Sequence, residues 1–211
     1  MYLAVSTRPD IAHAVSKLSQ FNNCHTKIHW GAAKRVLRYL KGTNDVGLVY
    51  SVSSDPPEMY TDADWGSCGI DRKSYTGYTF IMSGASVSWE SKKQRTVALS
   101  STEAEYMALS DATKEALYVS KLLDELGTTL NGIVIKNDSN GVQKLAMNPV
   151  HHARSKHIDI RHHFVRDAVS RNLVTIQHVS TDEMATDILT KGLPRGRHEN
   201  YMKLLGLTSI H

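Results

Sequence analysis

The sequence predicts an α/β fold: a mixed five-stranded sheet with flanking helices, preceded by a short helical connection. Three observations carry this. Runs rich in β-branched and aromatic residues fall at 59–64, 74–82 and 86–91, and again at 132–137 and 173–179, which gives five strands. Between the third and fourth runs, residues 101–126 hold a sustained helical repeat of apolar positions. The order is strand, strand, strand, helix, strand, helices, strand, helix, so helices are interleaved with the later strands.

Composition sets the broad class. A chain of 211 residues can bury a sizeable core. Its formal charge of +4 suits a polyanionic partner without requiring one. Apolar runs are only a few residues long, so no membrane span is expected. Residues 1–9 lack the basic segment and apolar core of a secretory leader. Cys24 and Cys68 make no disulfide framework, and neither sits in a metal-ligand spacing. The expected compartment is therefore reducing and intracellular.

The chain divides into residues 1–54, 55–192 and 193–211. In the first part, Pro9 opens a helix over 10–21, because its missing N–H costs nothing in a first turn. Ile11, Val15, Leu18 and Phe21 recur at helical spacing. A second helix covers 27–41, with Trp30, Ala33, Leu37 and Leu40 on one stripe and Gly42 as its cap. Lys34, Arg35, Arg38 and Lys41 lie on its other face, either as a solvated surface or as phosphate contacts. The polar run from Ser51 to Pro57, with two prolines, marks the boundary.

In the second part, Ser83-Gly84-Ala85 turns one strand into the next. The polar link Lys92-Lys93-Gln94-Arg95 leads to Ser100-Ser101-Thr102-Glu103, a capping box. From it runs the long helix, with Leu109, Ala112, Ala116, Val119, Leu123 and Leu126 on its apolar face and a stop at Gly127. The strand 132–137 ends at Asp138, and a short helix follows. A histidine-rich segment over 151–163 runs into a helix over 158–171. His157 and His162 are five apart, which does not put two ligands on one helix face, so zinc is not expected. Ser180-Thr181-Asp182-Glu183 is a second capping box, and the helix it opens carries Asp187. From Gly192 onward a loosely fixed tail with at most one helical turn is expected.

Four acids fall at particular places: Asp62 in the first strand, Glu105 in the long helix, Asp138 just after a strand, and Asp187 in the last helix. Each has an ordinary structural use. Glu103 and Glu105 suit a helix N-terminus, and Asp138 suits a helix N-cap. Brought together, carboxylates repel unless a cation or protons neutralise them. Oxygen ligands alone suit Mg²⁺ or Mn²⁺, and a pair of such ions can activate water and stabilise the leaving oxygen of a phosphodiester.

The sequence resembles the C-terminal part of the Pol polyprotein of copia-type LTR retrotransposons. Tyr60-Thr61-Asp62-Ala63-Asp64-Trp65 is similar to the first strand of its ribonuclease H domain. Ser100-Ser101-Thr102-Glu103-Ala104-Glu105-Tyr106-Met107-Ala108-Leu109 is the most specific block. Lys156-His157-Ile158-Asp159-Ile160 follows in order, as does the block from Asp182 to Lys191. Thr7-Arg8-Pro9-Asp10-Ile11 and the block from Ala33 to Gly42 resemble the reverse transcriptase's C-terminal connection.

The resemblance implies a ribonuclease H-like domain over 55–192, with a reverse transcriptase remnant before it. It implies Asp62, Glu105, Asp138 and Asp187 as catalytic residues and as ligands of two Mg²⁺ ions, with Mn²⁺ as a substitute. Glu105 is chosen over Glu103 because the family's helix glutamate precedes a hydrophobic-x-Ala run. The reaction implied is hydrolysis of the RNA strand of an RNA–DNA hybrid, leaving 5′-phosphate and 3′-hydroxyl ends. Lys92, Lys93 and Arg95 are candidate phosphate contacts. The partner implied is a reverse transcriptase polymerase domain absent from this chain, and the setting is a cytoplasmic virus-like particle or the nucleus. His178 departs from the family pattern of a histidine in a loop before the last helix, because it falls inside the strand 173–179. The rival reading is a non-catalytic nucleic-acid-binding or structural remnant of such a polyprotein.

Overall fold

The computed structural model describes residues 1–53, 55–147 and 156–210. The connection comprises α1 (Tyr2–Ser6), α2 (Ala12–Ser19), α3 (Lys27–Gly42) and a short strand β1 (Val46–Leu48). Then come β2 (Glu58–Asp64), β3 (Tyr75–Met82), β4 (Ala85–Lys93) and the long helix α4 (Ser101–Glu125). They are followed by β5 (Ile133–Asn137), α5 (Asn140–Met147), α6 (Lys156–Ser170) and β6 (Val174–His178). The chain closes with α7 (Asp187–Thr190), α8 (Arg195–Leu204) and β7 (Leu207–Ser209).

The five expected strands form one sheet in the order β4-β3-β2-β5-β6. β2 pairs antiparallel with β3 and parallel with β5, so it is central and the sheet is mixed, as expected. Alternation along β2 and β3 sends Met59 and Phe80 into one core, with Leu109 and Ala112 of α4, Ile135 of β5 and Val165 of α6. Tyr60 and Ile81 go to the opposite face, with Ile188 and Leu189 of α7 and Tyr201 of α8. Both faces are therefore covered.

α4 follows its sequence signals closely. Ser100 Oγ accepts a hydrogen bond from the Glu103 backbone N–H at 3.2 Å. Glu103 reaches back and accepts from the Leu99 N–H at 3.0 Å. Leu109, Ala112, Ala116 and Val119 are buried, while Leu126 beyond the helix end is exposed.

Three expectations are corrected. The helix over 10–21 is a 3₁₀ turn (Pro9–Ile11) followed by α2, which ends at Ser19. The second capping box opens only a 3₁₀ turn, Thr181–Glu183; Met184 and Ala185 are buried in the break, and Asp187 starts a separate four-residue helix. The expected loose tail is α8 and β7. β7 pairs antiparallel with β1, with Leu48 opposite Leu207, and Leu205 and Leu207 are buried. Its partner strand lies some 160 positions earlier, so no local periodicity announces it. Gly206 (φ +78) lets the chain pass Ala85 closely; a Cβ there would lie 2.4 Å from the Ala85 Cβ. Of the histidine-rich segment, residues 151–155 lie outside the described residues.

The tail is thus part of the packed structure. Leu205→Ala is expected to cost about 2–5 kcal/mol. Exposed Leu204→Ala is the control, and thermal unfolding compares them. Equal losses in the two variants would restore the loose tail.

Candidate metal centre

The parallel ladder between β2 and β5 ends at Tyr60 and Lys136. Beyond it, at the carboxyl ends of two adjacent strands, lies the position where open α/β sheets form sites. Asp62 projects from β2 there, only 1% exposed. Asn137 bridges the gap: its side-chain amide donates to the Thr61 carbonyl at 3.0 Å and to Glu105 Oε2 at 3.1 Å. Glu105 enters from the first turns of α4, 8% exposed, and its Oε1 accepts from the Ala63 N–H at 3.2 Å. Asp138, immediately after β5, accepts from the Thr181 hydroxyl at 3.1 Å.

One carboxylate oxygen from each of Asp62, Glu105 and Asp138 lies within 4.8 Å of the others. Glu103 is not in this group; it is engaged at the helix cap. Asp187 is also outside it. It is buried and joins Asp62 through a lysine: Lys191 Nζ lies 2.8 Å from Asp187 Oδ1 and 3.2 Å from Asp62 Oδ2. The Thr190 hydroxyl donates to Asp62 Oδ2. Asp64 stays half-buried at the end of β2.

Burial pushes the Asp62 carboxyl up to about 6, against the pull of Lys191 and Thr190 and with a further push from Asp187 and Asp138. Burial first, then the Asp62 charge, holds Glu105 well above the usual carboxylate range. Burial lowers the Lys191 ammonium, but the two aspartates outweigh it and raise it overall. The arrangement disfavours full ionisation of its own carboxylates unless a cation joins them.

Sequence reasoning missed Asn137, Thr190 and Lys191. The Asp187–Lys191 spacing of four was a legible signal; the other two carry none beyond their neighbourhood. His178 sits at the end of β6 with Nε2 3.1 Å from the Asp138 carbonyl oxygen. The strand therefore delivers it beside the acidic group.

Lys92, Lys93 and Arg95 line a cavity of about 360 Å³ with Gln94, Lys114 and Arg161. Gln94 ties this cavity to α4 by donating to the Ala104 carbonyl at 2.9 Å. Lys92 pairs with Glu90 at 3.3 Å and Lys93 with Asp71 at 2.9 Å, while Arg95 is exposed.

No protein-family model matches the chain. Over 209 residues it is 44% identical to the "Retrovirus-related Pol polyprotein from transposon TNT 1-94" of Nicotiana tabacum, covering 99% of this chain and 16% of that protein. It is 41% identical over 211 residues to the Pol polyprotein from transposon RE2 of Arabidopsis thaliana, covering 14% of that relative. Over 121 residues, 57% of the chain, it is 54% identical to "Secreted RxLR effector protein 161" of Plasmopara viticola, covering 85% of it. Among solved structures it is similar to LC11-RNase H1 from compost, with a TM-score of 0.49 and 16% identity over 64% of this chain and 92% of that one. The chain spans 14 to 16% of the length of the two polyproteins.

The raised Asp62 carboxyl fixes a sign. A carboxyl that holds its proton more tightly when folded favours folding at low pH, and that contribution is lost as pH rises through the folded value of about 6. In metal-free protein, Asp62→Asn should therefore gain stability relative to wild type from about pH 4 to about pH 7. Thermal unfolding across that range measures it. A wild-type advantage that grows with pH contradicts the burial argument.

Proposed function

The chain belongs to the retrovirus-related Pol polyproteins of copia-type transposons, and from that premise we propose that it hydrolyses the RNA strand of RNA–DNA hybrids. The observation that carries this reading is the convergence of Asp62, Glu105 and Asp138 within 4.8 Å. They come from a strand, a helix and a strand end, and two of the three are buried. Buried acids gathered from separate elements are costly without a counter-charge. A divalent ion fits them, because every donor is a hard carboxylate oxygen.

Asp62, Glu105 and Asp138 would hold the ion, with Asp187 facing Asp62 across Lys191. The resemblance implies two ions, Mg²⁺ or Mn²⁺. The chemistry such ions supply is activation of water and Lewis-acid stabilisation of the phosphodiester. The chain's own groups orient the ligands: Asn137 and the Ala63 N–H fix Glu105, Thr181 fixes Asp138, and Thr190 fixes Asp62. In the reaction a water oxygen bonds to phosphorus and the bond from phosphorus to the 3′ oxygen breaks. That leaves a 5′-phosphate and a 3′-hydroxyl.

The basic cavity beside α4 is the surface we assign to the nucleic-acid backbone, through Lys92, Lys93 and Arg95. Discrimination of RNA from DNA would rest on 2′-hydroxyl contacts in the minor groove. Residues 1–54 then form the end of the reverse transcriptase connection, which links this activity to a polymerase domain. No helix among the described residues is long and apolar enough to cross a membrane.

The test is Mg²⁺-dependent cleavage of a labelled RNA–DNA hybrid by the purified chain. Asp62→Asn and Glu105→Gln should each lower the rate on the order of 10²–10³-fold while hybrid binding persists. Glu103→Gln should keep cleavage, since its role is the helix cap. Hybrid binding without cleavage in the wild type would favour the non-catalytic reading. Cleavage surviving in Asp62→Asn would remove the site from these residues.

A further inference from the structure

The acidic group has two unequal halves. On one side Asp62, Glu105 and Asp138 converge, and among the described residues no lysine or arginine pairs with Glu105 or Asp138. On the other, Asp62 and Asp187 already share a cation. Lys191 Nζ lies 2.8 Å from Asp187 Oδ1 and 3.4 and 3.2 Å from the two Asp62 oxygens. One ammonium thus bridges carboxylates from β2 and α7.

The local backbone explains why it sits there. Lys191 is the C-cap of α7, four residues after Asp187, which brings the two side chains to the same helix face. Thr190 precedes it and donates to Asp62, so the end of α7 is fastened to β2. The aspartates are almost fully buried, but the Lys191 side chain is 34% exposed. Its flexible four-carbon stem can carry the charge outward into water without disturbing α7.

We propose that Lys191 is a resident counter-cation that a divalent ion must displace to reach the Asp187 side of the cluster, so that its charge weakens binding at that half most. The proposal rests on the metal reading above. It makes loading of the site stepwise: the three-carboxylate half fills first, and the Asp187 half fills only at higher ion concentration, as the ammonium swings out. Lys191 is a positioning residue here, acting through Asp62 and Asp187.

Calorimetric titration of Mn²⁺ into the metal-free full chain, at fixed pH, tests this without measuring cleavage. Wild type should bind one equivalent, then a second at least about tenfold more weakly, a difference of about 1.4 kcal/mol. Lys191→Met should strengthen the second step by about tenfold or more and the first by clearly less, through Asp62 alone. Lys191→Arg, which keeps the charge, should retain the weak second step. Thermal unfolding gives an independent readout: Lys191→Met should melt lower than wild type without metal and gain more from Mn²⁺. If Lys191→Met folds poorly, Lys191→Gln takes its place with the same expectations. An unchanged second step in the charge-removing variants overturns the proposal while leaving the metal reading intact, as does an equal strengthening in Lys191→Arg. Absence of any Mn²⁺ binding in every chain sinks the metal reading and this proposal together.

Discussion

A carboxylate removed from water must be met by donors or a cation, and much of the structure around Asp62 answers that requirement. It is central in the sheet, almost fully buried, and within reach of two further acids. The end of α7 and the end of β5 carry the compensation at the acidic group. α7 supplies the Thr190 hydroxyl and the Lys191 ammonium. The end of β5 supplies Asn137, which holds Glu105 and also satisfies the Thr61 carbonyl where the ladder stops. The compensation is incomplete, because burial still holds the carboxyls of Asp62 and Glu105 above their ordinary range. That residual cost gives a cation its favourable place.

The two ends of the chain support this arrangement from the face of the sheet opposite α4. The Arg8–Asp10 ion pair is buried, and the Tyr39 hydroxyl donates to Asp10 at 2.6 Å. His198 of α8 lies 3.1 Å from the Asp10 carbonyl oxygen. β7 then closes on β1, so the connection and the tail clasp one another. α7, with Asp187 and Lys191, lies between this clasp and the sheet, and its Ile188 and Leu189 share a core with Tyr201 and Leu205. The expected connection and tail are therefore structural neighbours, although they lie at opposite ends of the sequence.

What could be read in the sequence was what is locally encoded. The five strands and α4 repeat their patterns over enough residues to be recognised, and α4 also carries its cap. The choice between Glu103 and Glu105 came from the resemblance. The structure separates the two by engaging Glu103 with the Leu99 N–H and burying Glu105 beside Asn137. The separate start of α7 is not locally encoded, because the capping box at Ser180 is a true turn signal whose helix is interrupted where Met184 and Ala185 enter the core. Tertiary packing overrode propensity there. α3 errs in the opposite sense: its apolar stripe forms as read, yet Trp30 and Leu37 stay exposed.

Gly77 shows how close this packing is. It stands directly opposite Asp62 across β2 and β3. A Cβ at Gly77 would lie 2.7 Å from the Thr190 methyl and 2.9 Å from the Leu189 Cβ. The absence of a side chain in β3 thus lets α7 settle onto the sheet at the level of Asp62. A strand interior ordinarily disfavours glycine, so this position gives up local strand stability for a close approach. That approach places the Thr190 hydroxyl and the Lys191 ammonium on Asp62. The charge balance at the acidic group therefore depends on a residue that bears no charge and touches none of the carboxylates through a side chain of its own.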